Sequence, residues 1–155
     1  MAELAPGDNA PDFTLPRDGG GTITLSALRG KPVVLFFYPK DDTEACTAEA
    51  KDFTAAKADF EAAGVALVGL SPDTVKKHDK FVKKHELGVP LASDESLGTL
   101  EAYGVWKEKS TYGRTYMGVE RTTMLVDAEG RIAEIWRRVK VAGHVEAVLD
   151  TAIRL

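Results

Sequence analysis

One cysteine, Cys46, is all the thiol that this chain of 155 residues holds. A lone cysteine excludes an intrachain disulfide and a CxxC redox pair. An excess of positive charge is missing as well. Lys and Arg total 20 against 24 Asp and Glu, a formal net charge of −4, so charge gives no case for nucleic acid or an anionic membrane. No apolar run approaches the length of a membrane span. Met1 to Phe13 is acidic and Pro-rich, with no basic n-region and no apolar h-region, and does not read as a signal peptide. Internal repeats and low-complexity linkers are absent too, and the length suits one domain over residues 1–155 with a real core. Together these absences point to a cytoplasmic protein whose thiol stays reduced.

The chain alternates apolar strands with helical segments. Phe13 to Leu15 and Thr22 to Leu25 are short strands around Gly19-Gly20-Gly21, a hairpin turn. Val33 to Phe37 is a buried strand, and a helix runs from about Glu44 to Ala63, with Thr43 as N-cap and Gly64 as stop. Val65 to Leu70 is a second buried strand. A Lys-rich helix covers about Thr74 to His85, and Leu91 to Asp94 is a short strand or loop. A brief helix over Leu97 to Tyr103 leads into a Gly- and Tyr-rich loop, Gly104 to Gly118. Thr122 to Val126 and Ile132 to Arg137 make a hairpin around Asp127-Ala128-Glu129-Gly130, and a last helix covers about Gly143 to Arg154. Strand–helix alternation argues for a parallel α/β layer, here with an antiparallel edge. The order is that of a thioredoxin-like fold with a hairpin added at the front.

In this reading Cys46 falls in the first turn of the helix after Val33 to Phe37. Unpaired N–H groups and the dipole favour a negative charge there. A thiolate is the reactive form of cysteine, and a helix N-terminus is one of the few settings that favours it. The placement suggests a nucleophile; a small buried hydrophobe is the alternative.

The spacing Pro39-x-x-x-Thr43-x-x-Cys46 matches the active-site motif of the peroxiredoxins. Phe37-Tyr38-Pro39-Lys40-Asp41-Asp42-Thr43 resembles their Q-type branch, the bacterioferritin comigratory proteins. Tyr103-Gly104-Val105-Trp106 and the run Tyr112 to Thr123 are similar to the same branch. The resemblance implies a thiol peroxidase on a thioredoxin-like fold, needing no cofactor and no metal. It implies Cys46 as peroxidatic cysteine, Thr43 as the hydroxyl that meets thiolate and peroxide, Pro39 as a cover and Arg121 as the cation beside the sulfur. Glu49 matches a polar position that helps hold the arginine.

Two positions depart from that pattern. Glu44 stands where many relatives carry Pro or a small residue, and Lys51 stands where many Q-type relatives carry the resolving cysteine. With no second cysteine, the expected cycle uses one: peroxide makes a Cys46 sulfenic acid, which an external thiol returns. Thioredoxin, glutaredoxin and low-molecular-weight thiols all fit as reductant, the substrates are hydrogen peroxide and organic hydroperoxides, and the branch implies a monomer. The rival from another class is a non-enzymatic thioredoxin-fold binding module. A cysteine hydrolase would need a histidine partner, and His78, His85 and His144 come with no such motif. His78 and His85 read as a solvated helix face among lysines, a face that could also dock an acidic partner. Of the aromatics, Tyr38, Trp106 and Tyr112 are candidates for a substrate surface, and Phe53 for the core.

Overall fold

The computed structural model describes residues 3–155. Strands β1 (Thr14–Pro16) and β2 (Thr22–Thr24) form the antiparallel hairpin, with Leu15 opposite Ile23. Its turn uses Gly19, Gly20 and Gly21 at φ 77°, 99° and 80°, a backbone that only glycine adopts freely. A 3-10 turn, Leu25–Leu28, leads to β3 (Val33–Phe37), α1 (Glu44–Ala62), β4 (Ala66–Ser71) and α2 (Val75–His85). Then come β5 (Leu91–Ser93), α3 (Gly98–Ala102), β6 (Trp106–Thr111), β7 (Arg114–Val119), β8 (Thr122–Val126), β9 (Ile132–Arg137) and α4 (His144–Ile153).

The main sheet has the order β5-β4-β3-β8-β9. Strands β3, β4 and β5 run parallel, while β8 and β9 join antiparallel. This is the thioredoxin-like arrangement, with the hairpin at the front. Strand β3 is buried along its whole length, which explains its unbroken apolar run. Val33, Leu35 and Phe37 pack on one face with Leu15, Leu100 and Tyr103. Val34, Phe36 and Tyr38 pack on the other with Phe53 and Phe60 of α1, Phe81 of α2 and Val148 of α4. Each such side chain contributes roughly 1.5–3 kcal/mol on burial. Phe36 stacks on Phe53 at 4.5 Å. It needs Gly69 on β4, because a Cβ there would lie 2.6 Å from the Phe36 ring.

Three expectations change. The loop expected over 104–118 is a two-stranded hairpin, β6 paired to β7 from Trp106–Val119 to Thr111–Arg114. Tyr112 and Gly113, at φ 51° and 76°, make its two-residue turn, the left-handed pair that such tight hairpins require. Its outer strands are largely exposed and show no apolar alternation, so the sequence carries little strand signal. Second, α2 is not solvated at His78, which is fully buried beside Phe81. Third, Tyr38 is core with Phe53, while Tyr112 is wholly exposed at the hairpin tip, so these aromatics form no common surface. Among the described residues no helix is long and apolar enough to cross a membrane.

Candidate active site

The site lies where β3 ends. Its register with β8 sets Phe37 opposite Thr122, so Arg121 falls beside the point at which the chain leaves β3 for α1. The Arg121 backbone is held there by the Val139 N–H, which donates to its carbonyl at 3.0 Å. Helix α1 starts at Glu44 behind Thr43, placing Cys46 third in the first turn. Thr47 N–H donates to the Thr43 carbonyl at 2.8 Å. The amides of Glu44, Ala45 and Cys46 therefore precede the helical ladder and point out of its N-terminal end.

Arg121 joins two side chains of α1. Its Nη2 donates to Cys46 Sγ at 3.1 Å and its Nη1 to Glu49 Oε1 at 2.9 Å. Cys46 and Glu49, three apart on α1, are both buried. Burial works against the charged guanidinium. The hydrogen bond and charge of Cys46, then those of Glu49, outweigh it and hold Arg121 above its ordinary range. Burial acts on Glu49 in the opposite sense. It pushes the carboxyl up to about 7 although the Arg121 charge and hydrogen bond pull it down. The second oxygen, Oε2, is buried without a partner.

Glu49 thus has a pKa above its unfolded value near 4.5, and ionising it in the folded state costs stability. In the fold its protonated form prevails up to about pH 7. The cost appears as pH rises from about 4.5 to about 7 and is complete above it. In Glu49→Gln the amide oxygen still accepts from Arg121 and no charge develops. Urea unfolding should show the variant gaining on the wild type as pH rises from 5 to 8, by on the order of 2–3 kcal/mol. A stability difference that stays flat across that range would contradict a buried, uptitrated Glu49.

Behind Arg121 lies a residue with no expected role. His144 Nε2 is 2.8 Å from Thr123 Oγ1, and its ring sits edge-on to Trp136 and Phe53. Burial, then the Arg121 charge, push it down to about 4, so it is neutral at physiological pH and adds no second cation. Its position at the start of α4 gave no sign of this in the sequence.

The remaining expected residues are placed less directly. Thr43 is the N-cap by position, but its hydroxyl does not cap the helix. It donates instead to the Lys40 carbonyl at 2.9 Å, closing the loop between β3 and α1. Pro39 is half-buried at the end of β3. Cys46, Arg121 and Glu49 are joined by direct hydrogen bonds; Pro39 and Thr43 frame the loop that leads to them. Glu44 and Lys51 are exposed. Asp41, Asp73 and His78 offer ligand atoms within 4.8 Å of one another. Asp41 Oδ2 and His78 Nδ1 are already in contact at 2.6 Å, so an ion there would have to break that bond. A cavity of about 640 Å³ lined by Arg17, Lys57 and Gly88 lies at the opposite end of the sheet, beside the start of β4, away from this chemistry.

The chain is similar to known proteins over most of its length. A model of the AhpC/TSA family matches residues 6–135. Peroxiredoxin Bcp of Bacillus subtilis is 46% identical over 145 residues, 94% of this chain and 92% of its own length. A putative peroxiredoxin of Coxiella burnetii is 47% identical over 143 residues, 92% of this chain and 95% of that one. The structure of Xanthomonas campestris peroxiredoxin Q superposes with a TM-score of 0.87 at 44% identity, covering 90% of this chain and 89% of that chain. A bacterioferritin comigratory protein from the same organism, solved as intermediate and ligand complexes bearing on its alkyl peroxide reduction activity, gives 0.86 at 43% over 90% and 89%. With Cys46 as its single cysteine, the chain belongs to the AhpC/TSA family as a peroxiredoxin of the Q/Bcp type, a thiol peroxidase that works by a one-cysteine mechanism.

Proposed function

We propose that Cys46 is the peroxidatic thiol and Arg121 its electrostatic partner, with Thr43 and Pro39 shaping the peroxide site and Glu49 positioning the arginine. The observation that carries this reading is the 3.1 Å hydrogen bond from Arg121 Nη2 to Cys46 Sγ. A permanently charged, planar donor against the sulfur favours the thiolate and remains available to the oxygen that leaves. The thiolate attacks one peroxide oxygen in line with the O–O bond. A sulfur–oxygen bond forms, the O–O bond breaks, and the departing oxygen takes up a proton as water or an alcohol. The Thr43 hydroxyl, next to this turn, can meet the peroxide, and Pro39 brings no donor to compete. Alkyl peroxide reduction by the Xanthomonas campestris relative supports organic hydroperoxides beside hydrogen peroxide as substrates.

The sulfenic acid then condenses with an external thiol, releasing water, and a second thiol frees Cys46 as a disulfide departs. Cys46 is only 2% exposed, so a macromolecular thiol reaches it after the first turn of α1 opens. Dependence on a supply of reduced thiol supports a cytoplasmic site of action, and the resemblance to the Q-type branch supports work as a monomer.

A peroxide titration followed by intact mass tests this cycle. With no internal thiol to trap it, Cys46 should gain one oxygen and then, under excess peroxide, two or three. Thioredoxin, glutaredoxin or a small thiol added at the one-oxygen stage should restore the starting mass. A Cys46 that gains no oxygen when peroxide is added in the absence of any thiol would remove the assignment.

A further inference from the structure

Asp41 stands two residues before Thr43 and is held from every side. Its N–H donates to Asp73 Oδ2 at 2.8 Å, and the Tyr38 hydroxyl donates to its Oδ1 at 2.6 Å. His78 Nδ1 lies 2.6 Å from its Oδ2. On the far side of the ring, His78 Nε2 is 3.1 Å from the Ala92 carbonyl oxygen. Asp73 is in turn fixed by the Ser71 hydroxyl at 2.7 Å and by Ser93. All of these residues are buried. The neighbouring Asp42, in a left-handed backbone at φ 61°, contacts Lys84 at 2.7 Å and His85 at 2.8 Å. The loop from β3 to α1 is therefore pinned to α2 at two successive residues, one buried and one exposed.

The buried pin has a definite proton count. A carbonyl oxygen only accepts, so Nε2 of His78 carries a proton. Nδ1 faces a carboxylate oxygen at 2.6 Å, so one proton lies between them; without it a carboxylate would meet a ring lone pair in a site closed to water. The Tyr38 phenol, driven well above its ordinary range by burial and then by the Asp41 charge, stays a donor to the other oxygen. Tyr38 after β3, Asp73 after β4 and His78 on α2 thus hold Asp41 from three elements.

We infer that the Asp41–His78 pair is a positioning device for the peroxidatic loop, fixing the Lys40 carbonyl that receives the Thr43 hydroxyl and, through it, the first turn that carries Cys46. This role presupposes Cys46 and Thr43 as the reacting residues. His78 touches no reacting atom; it acts on the reaction through the loop. Losing the pin leaves Asp41 a buried carboxylate with one partner fewer, and the cheapest relief is for the loop to swing out to water. A displacement on the order of 1 Å at a reacting group is worth about 100-fold in rate.

Three measurements on the full chain test this. In the wild type at neutral pH, nitrogen-15 spectra of the His78 ring should show a proton at Nε2 and a low-field, exchange-protected proton shared with Asp41; a bare Nδ1 would overturn the inference without any variant. His78→Leu should lower the second-order rate of Cys46 oxidation by on the order of 10- to 100-fold. Amide exchange should rise over residues 40–47 while α4 and β9 keep their protection. His78→Asn, whose amide can still donate to Asp41, should recover most of the lost rate. A folded His78→Leu with wild-type rate, or with exchange raised evenly over the chain, would overturn the inference. Failure of wild-type Cys46 to react with peroxide would instead sink the assignment of the thiol, and the ring spectrum would still decide whether the pin exists.

Discussion

Cys46→Ser is expected to fold and to reduce peroxide no faster than a protein-free control. The side chain is buried on α1, and Ser is smaller by the difference between oxygen and sulfur, so no overpacking follows. Its hydroxyl suits the first turn of a helix and can accept from the Arg121 guanidinium that now faces sulfur. The cost in stability should be about 1 kcal/mol, a few degrees in melting temperature for a chain of this size. Chemistry fares otherwise. The serine hydroxyl is not ionised at neutral pH, and no second thiol exists in the chain to take over. Peroxide consumption with dithiothreitol and a thermal melt by circular dichroism, run on the same sample, separate the two effects. Turnover surviving in a folded variant would place the reactive group somewhere other than the only thiol.

The part of this site that could be read from the sequence is local in the chain. The run Val33 to Phe37 is buried on both faces, so its apolar continuity announced a central strand. The helix behind Thr43 follows from an Ala-rich segment closed by Gly64, and both ends agree with the structure to within a residue. Arg121 came through the resemblance alone, since nothing in its neighbours tells that β8 pairs antiparallel with β3 and brings residue 121 to the end of that strand. The Asp41–His78 contact spans 37 positions and could not be read as a pair. Half of it was visible all the same. His78, Phe81, Val82 and His85 follow the i, i+3, i+4, i+7 spacing of a buried helical stripe, and the lysines of α2 lie on the other side. Those lysines dominate the composition of the helix and mask the stripe. The Thr43 hydroxyl shows the limit of position as a guide. Its backbone caps α1, yet its side chain serves the preceding loop, because the Lys40 carbonyl is in reach.

Arg121→Met should slow the reaction of Cys46 with peroxide by about 100- to 1,000-fold, the range seen when one charged or preorganised donor is taken from a developing anion. Met keeps the length and much of the packing, so the change is chiefly one of charge and donors. Two separable losses follow. The thiolate loses its hydrogen bond at 3.1 Å, so less of it is present at neutral pH, which ultraviolet thiolate absorbance reads directly. The departing oxygen loses the cation that would stabilise it, so the rate per thiolate also falls, which stopped flow reads over a range of pH. Arg121→Lys should lie between, because a point charge cannot serve sulfur and carboxylate in one plane as the fork does. The partners supply an independent check. Glu49, held at about 7 against the pull of burial only with the help of Arg121, should move higher still and be protonated at neutral pH. His144, pushed down to about 4 by burial first and by the Arg121 charge second, should rise while staying below an exposed histidine, and nuclear magnetic resonance can follow its ring. A variant in which both carboxyl and imidazole shift as stated, yet thiolate absorbance and peroxide rate match the wild type, would show that the guanidinium organises the buried charges and takes no part in the reaction.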